Sequence, residues 1–374
     1  MPKILVYIVM LLNNRKLRVG ILFGGKSAEH EVSLQSAKNV YDAIDRNRFE
    51  PVLLGIEKSG KWRLADDSIS LLGPGEAVAL IPENEGALYS VPNGLPAGAA
   101  SKLNLDVVFP ILHGPFGEDG TVQGLLKLAD VPFVGSGVLG SAVGMDKDVM
   151  KRLFRDAGIP VGKFLSFRSH EPPPSFAEIE DALGVCPARG SVFVKPANMG
   201  SSVGISKARG AAEFSAAVKE AFLYDTKIIV EECITGREIE CAVLGNENPC
   251  ASVPGEIIPS HEFYSYDAKY LDENGAKLEI PAQIDGERAR QIQSLSVKAF
   301  QALGCEGLAR AHFFLRENGE VLINEINTMP GFTKISMYPK LWEASGVGYT
   351  ELISRLIALA VERFEKEHAL KTSR

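Results

Sequence analysis

The stretch GLARAHFFLRENGEVLINEINTMPG, residues 307–331, reads as two apolar strands joined by Glu317-Asn318-Gly319-Glu320. An Asn-Gly dipeptide between alternating hydrophobic runs favours a two-residue hairpin turn. Pairing Glu317 with Glu320 then sets His312 opposite Glu325, Arg310 opposite Asn327 and Phe314 opposite Ile323. Because side chains alternate across a strand, Arg310, His312, Phe314, Ile323, Glu325 and Asn327 are expected on one face. Ala309, Ala311, Phe313, Leu322, Asn324 and Ile326 take the other. A carboxylate and an amide two apart on a strand make a shallow oxygen-lined site of the kind Mg²⁺ occupies, completing its shell with phosphate and water. Arg310, never neutral, is suited to holding an anion beside it. The plainer reading is an Arg310–Glu325 salt bridge on a half-exposed sheet. The polar strand end running into the Pro-Gly turn of NTMPG, residues 327–331, favours the ligand site.

The chain around this hairpin is that of an ordinary globular protein. Its 374 residues exceed one core and imply two or three domains. With 45% hydrophobic and 23% charged residues it matches average soluble composition, and a net charge of -7 argues against nucleic-acid binding. Cys186, Cys233, Cys241, Cys250 and Cys305 are scattered, odd in number and without CxxC spacing, so neither a disulfide framework nor a zinc site is indicated, and a reducing cytoplasm fits. Near the amino terminus the apolar run ILVYIVMLL, residues 4–12, is too short to span a bilayer. No small-residue cleavage site follows it. An extra strand or a loose extension, with Met10 as an alternative start, is expected instead.

From Leu17 short apolar runs alternate with helical stretches: LRVGILFGG, a helix over residues 32–44, EPVLLGIEK, then LDVVFPILHG. Alternation of this kind predicts a doubly wound, mainly parallel sheet, an α/β fold. Residues 83–101, rich in Gly and Pro, read as a surface excursion. The predicted organisation is an N-terminal Rossmann-like unit over residues 1–144 (with 1–16 as an extension), a central α+β unit over 145–240, and a C-terminal α+β unit over 241–374 containing the hairpin. Further helices are expected over residues 211–222, 286–303 and 350–367.

Three other segments carry chemistry. VKPANMGSSVG, residues 194–204, puts Lys195 at a strand end before a loop of Gly200, Ser201, Ser202 and Gly204. Small residues let backbone N–H groups approach an anion, although the spacing is not that of a P-loop; alone, such a loop is more often a plain flexible hairpin. IIVEECITGREIE, residues 228–240, crowds Glu231, Glu232, Glu238 and Glu240 beyond a buried strand. One reading offers backbone to a purine and a glutamate to ribose hydroxyls; the other makes Glu232 and Glu240 a solvated acidic edge. LFGGKSAEHEVS, residues 22–33, opens a helix after a strand, so Gly24-Gly25 could seat a dinucleotide phosphate, but without the GxGxxG spacing. His113 stands at another strand end, in ILHGPFGEDG.

Taken together, FGGKSAEHEVS, HGPFGEDG, VGSGVLGSAVGMDK, VKPANMGSSVG, FYSYDAKY and NEINTMPGFT occur in the order found in the D-alanine:D-alanine ligases, and the chain resembles that family of the ATP-grasp superfamily from about residue 18 to 371. The resemblance implies a three-domain ATP-grasp architecture, ATP and D-alanine as substrates, two Mg²⁺ or Mn²⁺ ions, a cytoplasmic homodimer, and ligation of two D-alanines for peptidoglycan through an acylphosphate. It implies that Lys147 and Lys195 contact the ATP phosphates beneath a lid of Ser201, Ser202, Val203 and Gly204. Glu231, Cys233, Ile234 and Glu238 would line adenine and ribose between Phe193 and Phe314. Glu29, Ser201 and Tyr270 would form a triad orienting substrate. His113 would lie near the first D-alanine's carboxylate, Arg310 and the Gly331 N–H would make the oxyanion site, and Lys269, Ser336 and Met337 would serve the second D-alanine. NMGSSVG and FYSYDAKY are the expected lids over the acylphosphate. Glu325 and Asn327 would hold metal together with residue 312, where the family has an aspartate and this chain has His312. Imidazole suits Zn, Mn or Ni better than Mg²⁺. A D-Ala:D-Ser or D-Ala:D-lactate ligase, a weakened nucleotide-binding relative and a dinucleotide dehydrogenase are the alternatives; the Lys269-Tyr270 pair favours plain D-alanine.

Overall fold

The computed structural model describes residues 15–65, 75–82, 85–91, 103–185, 190–259 and 276–371. The amino-terminal apolar run, Cys186, and the segment carrying Lys269 and Tyr270 lie outside the described residues.

Among the described residues, three sheets organise the chain. In the first, Leu17–Gly24 lies between Phe49–Ile56 and Val107–Ile111, all parallel. From Val19 to Gly24 every residue is buried, as a strand covered on both faces requires. The parallel core is extended by antiparallel strands Trp62–Leu64, Glu76–Leu80, Ala87–Ser90 and Leu103–Asn104. Ala87–Ser90 falls within the expected surface excursion. Leu88 is fully buried there, so this part of the Gly/Pro-rich stretch is sheet.

The second sheet is antiparallel, ordered Ser206–Ala208, Val192–Pro196, Lys227–Glu232, Phe164–Arg168, and has its own core around Ile179, Val192, Phe214 and Ile228. The third runs Ala276–Glu279, Gly255–Pro259, Arg237–Gly245, Gly307–Leu315, Val321–Asn327. Arg237–Gly245 lies wholly in this sheet, so a boundary at residue 240 would cut a strand. One continuous core joins the first and third units, bringing Val19, Ile21 and Phe109 together with Leu244, Phe332 and Leu356.

Helix His30–Ala43 starts at the motif following the first strand, and Gly286–Ala302 and Tyr349–His368 fall where periodicity puts them. Val138–Met145 is a further helix, lying ahead of the second unit. Asp146 caps the next helix, Lys147–Asp156, by accepting from the N–H groups of Asp148 and Val149 at 3.1 Å. Lys227 pairs with the same Asp146, and this ties the helix start, and Lys147 on it, to the second sheet.

The hairpin differs from its predicted register in two places. Arg316 and Gly319 close a turn (Gly319 N–H to Arg316 O, 2.9 Å) inside the Arg316–Glu320 pair, so the loop has three residues and ends on Gly319 at φ 84°. This is the hairpin in which a left-handed glycine completes a type I turn. Phe314 therefore opposes Leu322, and Ile323 pairs with Phe313 and joins the core. A bulge past His312 then restores the predicted pairs His312–Glu325 and Arg310–Asn327. Ile323 donates its N–H to Pro160 O at 2.8 Å, outside the hairpin, which accounts for the break in the ladder. Asn324, expected on the core face, is turned to the polar face and meets His312.

Candidate active site

A cleft of about 1100 Å³ is lined by all three units. On the first unit's side, Ser27 Oγ accepts from the Glu29 N–H at 3.0 Å and donates to His113 O at 2.7 Å, fixing the turn before helix His30–Ala43. The buried Glu29 carboxylate accepts a short hydrogen bond from Ser201 Oγ of the small-residue loop. Gly114 closes over it so tightly that a Cβ there would lie 2.5 Å from Glu29 Oε2. Ser201 and Ser202 both hold positive φ, 50° and 61°, an uncommon pair of left-handed non-glycine residues of the kind that gathers at functional loops. Glu29 and Ser201 are thus joined; Tyr270, the expected third member, lies outside the described residues.

Across the cleft, Lys195 Nζ lies 2.6 Å from Glu231 Oε2 and 5.7 Å from the Phe193 ring centre. Lys151, which sequence reasoning missed, lies 3.2 Å from the other Glu231 oxygen and is buried. Burial alone would raise the Glu231 pKa, but the two ammonium groups outweigh it and pull it from 4.5 down to about 2. At Lys195 burial opposes the charge, yet Glu231, Glu325 and Glu238 hold its pKa above the ordinary value. At Lys151 burial wins and its pKa falls. Lys147 donates to Met199 O at 2.7 Å and lies 3.6 Å from Glu325.

The hairpin face meets the neighbouring strand in two diagonal acid–base contacts. Arg310 Nε is 2.9 Å from Glu240 Oε1, and His312 Nε2 is 3.1 Å from Glu238 Oε2. Both are bent away from ideal hydrogen-bond lines, and at Arg310 the opposite charges attract all the same. Glu240 is 4% exposed and is therefore not the solvated edge that its sequence allowed. Glu232 likewise accepts from the Lys163 N–H at 2.7 Å and from Arg316 at 3.0 Å. Neither acid announces its partner locally: Glu232 stands 69 residues from Lys163 and 84 from Arg316, and the strand of Glu240 pairs with the distant strand Gly307–Leu315.

Phe193, Cys233, Ile234, Glu238, Phe314, Asn327, Gly331, Ser336 and Met337 all line the same cleft. Val203 and Gly204 do not line it; a Cβ on Gly204 would strike Tyr224 and Pro196, so that residue packs inward. His113 is buried behind the wall, with Nδ1 3.1 Å from Met329 O and Nε2 3.2 Å from Ser36 Oγ. Burial works against its charge, but Glu118 more than compensates and its pKa is raised. Gly24 N–H donates to Ser33 Oγ at 2.8 Å and Gly25 N–H to Ile56 O at 2.8 Å, so this turn's donors are spent internally and not offered to a dinucleotide.

The donors are those of a hard cation's shell. Glu325 supplies a carboxylate, and Asn327 Oδ1, which accepts from the Met329 N–H at 3.0 Å, keeps a second lone pair. His312 is opposite Glu325 in the ladder, but its ring nitrogens face Glu238 and Asn324. Among the described residues no three His, Cys, Asp or Glu side chains form a metal site by themselves.

Three sheets around one cleft, with Lys147 on the helix before the second sheet set against Glu325 of the third, define the ATP-grasp class of enzyme. Residues 18–136 match the family model for the D-ala D-ala ligase N-terminus and residues 153–358 that for the C-terminus. The chain is 54% identical over 373 residues to a D-alanine--D-alanine ligase of Shouchella clausii (96% of this chain, 98% of the relative). It is also 54% identical to D-alanine--D-alanine ligase A of Escherichia coli K12 (96% and 99%). Among solved structures it is similar to the D-alanine-D-alanine ligase from Coxiella burnetii, at TM-score 0.81 and 37% identity over 95% of this chain and 98% of that one. The VanG D-Ala:D-Ser ligase from Enterococcus faecalis gives 0.82 and 36%, over 92% and 100%. The chain belongs to the D-alanine–D-alanine ligase family.

Proposed function

We propose that this chain joins two D-alanines at the expense of ATP, supplying D-alanyl-D-alanine for peptidoglycan. The observation that carries the reading is the meeting, in one cleft, of Lys147 and Lys195 with the Glu325–Asn327 pair and with Arg310. A carboxylate at neutral pH accepts no amine without a leaving group. The first D-alanine's carboxylate therefore takes the terminal phosphoryl group of ATP to give an acylphosphate and ADP. The free amine of the second attacks that carbonyl, a tetrahedral oxyanion forms, phosphate departs and the amine's surplus proton is lost. Lys147 and Lys195 bind and orient the phosphates; Arg310 and the Gly331 N–H face the oxyanion. Glu29, held by Ser201, receives the first substrate's ammonium, and the left-handed Ser201-Ser202 loop closes the cleft against water, which would hydrolyse the acylphosphate. Glu325 and Asn327 would hold a divalent cation, Mg²⁺ or Mn²⁺, which spreads the charge of the transferring phosphoryl group.

We place the second D-alanine beside Ser336 and Met337, and adenine between Phe193 and Phe314 near Cys233 and Ile234. We divide the chain into a first unit ending near residue 145, a central unit built on the second sheet and ending near residue 232, and a third unit beginning before Arg237–Gly245. Free thiols at Cys233, Cys241, Cys250 and Cys305 support a cytoplasmic setting, and among the described residues no single helix is long and apolar enough to cross a membrane. Phosphate release and product analysis with D-alanine, D-serine and D-lactate, each in Mg²⁺ and Mn²⁺, tests the assignment. D-Alanyl-D-alanine as the main product supports it. D-Alanyl-D-serine as the main product would move the chain to the specificity of the VanG-like neighbour, and no phosphate release with any acceptor would refute ligation.

A further inference from the structure

His312 faces the cleft from the middle of the hairpin, and what it touches is on the side of the nucleotide. Its Nε2 lies 3.1 Å from Glu238 Oε2 and its Nδ1 3.1 Å from Asn324 Nδ2, while its ring leans on Phe314 with centres 5.2 Å apart. The Asn324 amide donates to Nδ1, which leaves Nε2 as the ring's donor, facing Glu238. A ring so engaged has no lone pair left for a metal. The bulge builds this arrangement, since without it Asn324 would point into the core. Glu238, its side chain 20% exposed, stands in the cleft beside Cys233, Ile234 and Phe314.

We propose that His312 is a positioning residue for the nucleotide: it holds the Glu238 carboxylate where that group accepts the ribose hydroxyls, and it is not a ligand of the divalent ion. The inference rests on the nucleotide site proposed above and goes beyond it in giving His312 a task. An ionised carboxylate opposite two vicinal hydroxyls must present both oxygens in a fixed plane, and a donor behind one oxygen sets that plane. The bent contact tightens once ribose fixes the other side of the carboxylate.

The test uses the full chain with ADP and with 2′,3′-dideoxy-ADP, both in EDTA, so that no metal takes part. Calorimetry on the parent, His312→Ala, His312→Gln and Glu238→Gln gives the affinities. His312→Ala is expected to weaken ADP by about tenfold and to leave dideoxy-ADP within about twofold, the loss of one hydrogen bond to a charged group. His312→Gln, which keeps a donor within reach of Glu238, restores most of the loss. In the double variant with Glu238→Gln the two effects do not add. Mn²⁺ affinity of the ADP-saturated protein, read by electron paramagnetic resonance, stays within about twofold of the parent in His312→Ala. Equal weakening of ADP and dideoxy-ADP, additive effects, or a Mn²⁺ affinity that falls with ADP affinity intact would each overturn the proposal, the last by making His312 a metal ligand. If the parent itself fails to bind ADP, the nucleotide site is refuted and this inference with it, a result distinct from selective failure in the variants.

Discussion

Replacing Glu231 by glutamine removes the anion held between Lys151 and Lys195. In the unfolded chain this carboxyl titrates near 4.5; in the fold, despite burial, the two ammonium groups bring it to about 2. The difference corresponds to about 3 kcal/mol of stability at neutral pH. A depressed carboxyl pKa contributes in full above the unfolded value and loses its contribution as pH falls through the folded one. The contribution is therefore whole at pH 7, smaller by roughly 1 kcal/mol at pH 4, and absent below pH 2. Glu231→Gln should thus be destabilised by about 3 kcal/mol at pH 7, and more if the buried Lys151 cannot shed its charge. The gap to the parent should narrow on acidification. Urea denaturation at pH 7, 5 and 4 measures it, followed by far-ultraviolet circular dichroism because Trp62 and Trp342, the only tryptophans, lie outside the second sheet. A gap that stays flat or widens between pH 7 and pH 4 would refute the reasoning, since Glu231 would then carry no special proton affinity in the fold.

Lys195→Ala should weaken ATP by at least about tenfold and leave D-alanine binding nearly intact, because the amino acid meets the other side of the cleft; parallel losses for both ligands in calorimetry would redraw the site. Glu240→Gln keeps the side chain's shape but removes the anion at Arg310 Nε, and is expected to lower kcat by roughly ten- to a hundredfold with ADP affinity unchanged; a change confined to ADP affinity would detach Arg310 from the oxyanion. Tyr270→Phe should retain ATP binding while letting D-lactate compete with D-alanine as acceptor, and an unchanged product ratio would remove Tyr270 from the Glu29–Ser201 pair.

The hairpin shows which parts of such a site a sequence carries and which it does not. The pairs His312–Glu325 and Arg310–Asn327 were legible, yet by cancellation: a loop one residue longer than Asn-Gly suggests and a bulge at Asn324 shift the register in opposite senses. The loop depends on Gly319 taking a left-handed conformation, which a local reading can accommodate. The bulge depends on Pro160 accepting the Ile323 N–H, a contact made across about 160 residues of chain, and no alternation pattern within the strand encodes it. The burial of Glu240 against Arg310, and Lys151 altogether, were missed for a related reason. Their charges are normal at a surface and become informative only once a distant strand or helix buries them against Arg310 and Glu231. Local rules fail together here: two serines at positive φ, a broken ladder and buried ions surround one cleft, whereas the helices 286–302 and 349–368, remote from chemistry, follow their periodicity. Where a fold relaxes several of its own rules around one cleft, it bears strain and desolvation there that packing elsewhere offsets. That concentration, more than any single motif, marks the cleft as the place where the chain meets its substrates.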